Sequence, residues 1–104
     1  MNLEKIKEVV THYIGWTSIE HVRVDASINA DSSVDVMITF PGGREHGKEL
    51  AGIFRHGFFI KPDGFWKITN RTFSAREGEL STFDFTMKQW KADLSEPVPP
   101  VLTY

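Results

Sequence analysis

Residues 22–40 constrain the fold more than any other stretch. Val22, Val24, Ala26 and Ile28 alternate with His21, Arg23, Asp25 and Ser27. A period of two belongs to a strand with one buried face. The polar run NADSS (29–33) follows, and such residues favour tight turns because their side chains bond the nearby backbone. Val34, Val36, Ile38 and Phe40 then alternate with Ser33, Asp35, Met37 and Thr39. The pattern predicts an antiparallel hairpin. Its apolar face must be covered by another element.

A cover is present upstream. Leu3, Ile6, Val10 and Tyr13, with Val9 and Ile14 beside them, recur at helical spacing. Asn2 suits the N-cap, Glu4 the first turn, and Gly15 a helix stop. A helix of about three turns over 3–14 is marginal alone and needs a sheet to lie on.

Downstream the alternation resumes. A loop is predicted over 41–48. Leu50, Gly52, Phe54, His56, Phe58 and Ile60 then share one parity, which reads as a strand bent at Gly52 and Gly57. KPDG (61–64) and REGE (76–79) are turn signals. FWKITNRTF (65–73) sets Trp66 and Ile68 on one face and Phe65, Lys67, Arg71 and Phe73 on the other. LSTFDFTM (80–87) sets Phe83, Phe85 and Met87 against Thr82, Asp84 and Thr86. The expected fold is α+β, an N-terminal helix packed on a curved antiparallel β-meander of about five strands. It forms one domain over 1–94. The segment 95–104 carries three prolines and should be extended, outside the sheet interior.

The loop at FPGGREHGKEL (40–50) contains G-x-x-x-x-G-K from Gly42 to Lys48, the opening of a phosphate-binding P-loop. The motif also requires a hydroxyl for magnesium and a following helix on a parallel sheet. Glu49 stands at the hydroxyl position, where a carboxylate repels phosphate. The run 49–60, with two glycines and three phenylalanines, reads as a poor helix. Nucleotide hydrolysis is not expected.

The absence of cysteine excludes disulfides, thiol catalysis and thiolate-bound metals. The four histidines, His12, His21, His46 and His56, form no metal-binding spacing, and no metal or cofactor is expected. No apolar run approaches the ~18 residues of a membrane span. The acid-containing start MNLEKIKEVV is unlike a signal peptide, so a cytoplasmic location is expected. Net charge is −2, but residues 44–76 hold seven bases against three acids. That asymmetry suits an anionic partner. Nucleic acid is not the expected one, since the chain is acidic overall and lacks an RNA-recognition run.

The stretches EHVRVDASINADSSVDVMITF (20–40) and LAGIFRHGFFIKPDGFWKITNRTF (50–73) resemble the hairpin and later strands of the nuclear-transport-factor-2-like superfamily. A run of the type DG-W-K-I-x-x-R-x-F often closes the sheet there. Here it is Asp63, Gly64, Trp66, Lys67, Ile68, Arg71 and Phe73. A single helix ahead of the strands is closer to the broader cystatin-like shape. The resemblance implies a helix-on-sheet fold and sheet-face dimers, and it transfers no catalytic residue.

Two functions follow as expectations. The first is a non-enzymatic protein-binding module of accessory, inhibitor or regulator type, acting as a homodimer. Its aromatic and basic sheet face would comprise Phe59, Phe65, Lys67, Arg71 and Phe73, since one helix covers only one face of a sheet. The second is a small-ligand pocket, or, as the resemblance implies, an isomerase- or dehydratase-like enzyme of the nuclear-transport-factor-2-like superfamily, with Trp16, His56 and Trp66 lining the pocket.

Overall fold

The computed structural model describes residues 2–60, 63–75, 78–90 and 102–103. In chain order the elements are α1 (Leu3–Ile14), β1 (Arg23–Ile28), β2 (Val34–Pro41), α2 (Arg44–Ile53), β3 (Gly57–Ile60), β4 (Gly64–Ser74), β5 (Leu80–Gln89) and β6 (Leu102–Thr103). The class is α+β, with an N-terminal helix on an antiparallel sheet, as the sequence predicts. Lys61 and Pro62 of the first turn, Arg76 and Glu77 of the second, and all of 95–104 except β6 lie outside the described residues.

The N-terminus of α1 is capped by Asn2, whose Oδ1 accepts the Glu4 N–H at 2.9 Å. Ile6, Val9, Val10, Tyr13 and Ile14 form its buried stripe. Gly15 stays right-handed, with φ −60°, so it is not a left-handed glycine stop. The Thr17 hydroxyl instead donates to the Ile14 carbonyl at 2.6 Å, satisfying an end group of the helix.

β1 and β2 form the predicted hairpin, in register from Arg23↔Thr39 to Ile28↔Val34. Its turn is closed by the Asn29 N–H donating to the Ser33 carbonyl at 2.8 Å. Asp31 accepts the Ser33 hydroxyl and N–H, and these bonds hold its carboxyl below the usual range.

The spatial strand order is β1-β2-β5-β4-β3-β6. β3, β4 and β5 run back and forth, and β5 docks antiparallel against β2 from Val34↔Met87 to Pro41↔Leu80. β6 joins β3 in parallel.

The connection between the two hairpin units differs from expectation. Residues 44–53 form α2, not a loop followed by a strand. Leu50 and Phe54 are four apart, a spacing that satisfies both the strand and the helix period. On a helix, Gly47, Leu50 and Phe54 fall on one stripe, and all three are buried. The Phe54 ring stacks on Phe85 at 5.0 Å. At Gly47 an added Cβ would overlap the Phe73 ring, so the glycine lets α2 approach β4. A helix does therefore overlap the G-x-x-x-x-G-K run, beginning at Arg44. Gly47 and Lys48 lie inside it, however, and β2 pairs antiparallel on both sides. A phosphate cradle on a parallel sheet is not formed.

Both helices lie on one face of the sheet. The core between them joins Val9, Tyr13 and Leu50 to Val36, Ile38, Phe58, Trp66, Phe83, Phe85 and Met87.

β4 changes face partway along. Thr69 pairs with Thr86, but Thr72 pairs with Asp84, so β4 carries one extra residue at Asn70–Arg71. Asn70 takes φ +51°, a conformation asparagine tolerates better than most residues. Such a bulge shifts the parity of everything beyond it. Phe73 consequently turns to the helix side, where it stacks with Phe40 at 6.2 Å. The sequence reading placed it with Phe65 on the opposite face, because strict alternation cannot register an inserted residue.

Candidate functional site

The outer face of the sheet carries no helix among the described residues, and its side chains fall into rows fixed by the strand register. One row reads Asp25, Met37, Asp84, Thr72. The next reads Ser27, Asp35, Thr86, Thr69. Beyond it Lys88 and Lys67 stand opposite each other. The last row holds Phe65 and Phe59, with Trp90 beside them, its N–H donating to the Phe65 carbonyl at 2.8 Å.

This arrangement separates charge along the diagonal of the face. Three carboxylates occupy one corner, around a Met37 that is 40% exposed. Asp25 is partly offset by Arg23, whose Nε lies 3.1 Å away. The Thr86 hydroxyl donates to Asp35 at 2.8 Å. Asp25, Asp35, Met37, Asp84, Thr86 and Asn70 line a shallow hollow of about 350 Å³.

Asp84 lies on β5, between β2 and β4. Its Oδ1 is buried and has no hydrogen-bond partner among the described residues. Burial first, and the charge of Asp35 second, push its carboxyl above the usual range. Alternation over 80–87 sets Asp84 opposite the core phenylalanines, yet flanking strands on both sides half-bury it. A raised pKa means the folded state holds the proton more tightly than the unfolded chain. Stability is then lost as pH rises from the ordinary aspartate value through the raised one. Asp84→Asn is expected to raise the melting temperature at pH 7. The gain should shrink toward pH 3, where wild-type Asp84 is also neutral. Thermal melts at the two pH values check this.

The opposite corner is aromatic and basic. Phe65, only 5% exposed, lies between Phe59 at 5.3 Å and Trp90 at 5.7 Å, ring centre to ring centre. The Lys67 Nζ sits 5.0 Å from the centre of the Trp90 ring. That cation–π contact offsets the repulsion of two lysines facing each other across β4 and β5.

Of the expected interface residues, Phe59, Phe65 and Lys67 thus come together. Phe73 leaves for the helix side, and Arg71 lies in the bulge, where it lines a cleft together with Ala51 and Arg55. Trp90 was missed. Continuing the alternation past Met87 places Lys88 and Trp90 with Asp84 and Thr86, which would have found it.

The three expected pocket residues are not gathered. Trp16, 58% exposed, lies beyond the end of α1 with its ring 5.2 Å from Tyr13. His56 is exposed in the bend between α2 and β3, and its carbonyl accepts the Ile68 N–H at 3.0 Å. Parity put His56 beside Phe58 in the core, but α2 ends that parity before β3 begins. Trp66 is fully buried. Among the described residues, no group of three or more histidines or acids is placed to hold a metal ion.

Comparison of the chain with protein-family models, curated proteins and solved structures returned no match.

Proposed function

We propose that the protein is a non-enzymatic docking module whose outer sheet face pairs with a second copy of itself. The observation that carries this reading is the diagonal charge separation on the outer face. A two-fold interface buries the same patch on both subunits and must be self-complementary. With the acidic corner of one copy over the Lys67–Lys88 corner of the other, both contacts are attractive, and both are made twice. Met37 within the acidic corner and the Phe59–Trp90 cluster beside the lysines add apolar surface to the interface.

Size supports the same occupant. Five strands about 4.8 Å apart span a face of roughly 600 Å² in projection, and side-chain relief brings it near the ~800 Å² per partner of a standard interface. The resemblance of residues 20–73 to a superfamily in which sheet-face dimers are common points the same way.

Analytical ultracentrifugation tests it. Wild type is expected to sediment as a dimer at micromolar concentration. Asp35→Lys puts like charges together at both corners and should weaken the dimer at least about tenfold. Asp35→Lys combined with Lys88→Glu restores complementarity and should recover most of the loss. A monomeric wild type overturns the reading. So does a single reversal without effect, or a double variant no better than the single.

A further inference from the structure

We infer that the cleft between the C-terminal end of α2 and the bulge of β4 binds an organic carboxylate with an apolar body. The cleft is open to solvent and has a volume of about 570 Å³, within the roughly 300–1,000 Å³ typical of small-ligand sites. Arg55, Arg71 and Thr72 line it and are exposed, while Ala51 and Phe73 are half-buried and Ile68 is buried. The cleft therefore has a cationic rim and an apolar floor.

Three features point to a ligand. Neither guanidinium forms an ion pair with a described residue, so two like charges share one cleft without a counter-ion from the described chain. Arg55 alone could be explained by the partial negative charge at the end of α2, but Arg71 comes from a different element. It sits in the bulge, where Asn70 holds a positive φ, and bulges commonly re-aim side chains beside active sites. Third, β3 covers β4 only from Gly64 to Lys67. From Thr69 to Ser74 the cleft side of β4 carries no strand among the described residues, so its backbone can meet a ligand.

The chemistry of the rim selects the charged group. Guanidinium forks match the geometry of a carboxylate and grip it through paired N–H donors. The floor of Ile68, Phe73 and Ala51 selects the remainder. An inorganic anion would leave that surface uncovered, and an uncharged alkyl compound would leave the arginines unpaired. Asn70 and Thr72 border both this cleft and the outer face, but the two arginines and the apolar floor belong to the cleft, so the inference does not rest on the outer-face pairing.

Amide chemical shifts of the isotope-labelled full chain, titrated with sodium hexanoate, 1-hexanol and sodium phosphate, test the inference. Hexanoate is expected to give saturable shifts at Ala51, Arg55 and Asn70–Phe73. Arg71→Gln and Arg55→Gln, both at exposed positions, should each weaken binding by about fivefold, the scale of an exposed ion pair. Hexanol and phosphate should each bind less tightly than hexanoate. Shifts that fail to saturate, or that lie elsewhere, overturn the inference. So do phosphate or hexanol binding as tightly as hexanoate, or both glutamine variants behaving like wild type.

Discussion

Gly57→Ala is expected to cost about 3 kcal/mol or more, a large share of the roughly 5–15 kcal/mol that holds a typical domain folded. Gly57 opens β3 opposite Lys67 with φ +137°, a region essentially closed to residues with a side chain. A Cβ there would overlap the backbone carbonyl oxygen of Trp66 and press on the Phe65 ring. Carbonyl groups in a sheet cannot rotate away without breaking their ladder, so relief must come from moving β3 off β4. Urea unfolding followed by circular dichroism should show a much lower midpoint. Gly52→Ala is the matched control. Gly52 lies within α2, and an added Cβ meets nothing within 4 Å. That substitution should stabilise by about 0.5–1 kcal/mol, since alanine restricts the unfolded chain and favours the helix. If the two alanine variants unfold at the same urea concentration, the placement of Gly57 against Trp66 is wrong.

Trp66→Ala is expected to lose about 3–5 kcal/mol through the cavity it leaves. Trp66 is fully buried, opposite Phe58 in the β3–β4 ladder. Phe58 in turn packs 5.4 Å from Tyr13 of α1, so the indole stands where sheet and helix meet. Trp66→Phe should be far milder than the usual loss of a tryptophan. The Nε1 donor is buried with no partner among the described residues, and replacing it removes a desolvation cost of about 1–3 kcal/mol along with some packing. Equilibrium unfolding of both variants distinguishes the cases. A phenylalanine variant as unstable as the alanine variant would mean that the Nε1 is in fact bonded.

Where the apolar pattern had one period and no interruption, it was legible. The helix at 3–14, the hairpin at 22–40 and the inward set Phe83, Phe85 and Met87 all follow from spacing, because each face of a regular element repeats strictly. Legibility failed at two places. Leu50 and Phe54 fit both periods, so α2 passed as strand, and His56 was carried into the core with it. At Asn70–Arg71 a single inserted residue reversed the face of Phe73 and freed Arg71, and nothing in NRTF announces it. Gly52 and Gly57 looked alike in sequence and do opposite things: one is a tolerated glycine in a helix, the other a position where backbone meets backbone.

The sequence by itself determined the class of fold, the faces of its regular elements and the chemistry ruled out by the absence of cysteine. These depend on local periodicity and composition, which are properties of neighbouring residues. Only the tertiary structure decided that β5 lies between β2 and β4. That placement puts Asp25, Asp35 and Asp84 in one corner and Lys67, Lys88 and Trp90 in the other. It also brings Arg55 and Arg71 to one cleft. Both surfaces join residues far apart in the chain, and their positions follow from strand order and one bulge. Those are settled by which pairing buries the most apolar surface across the whole molecule, a quantity no local window contains.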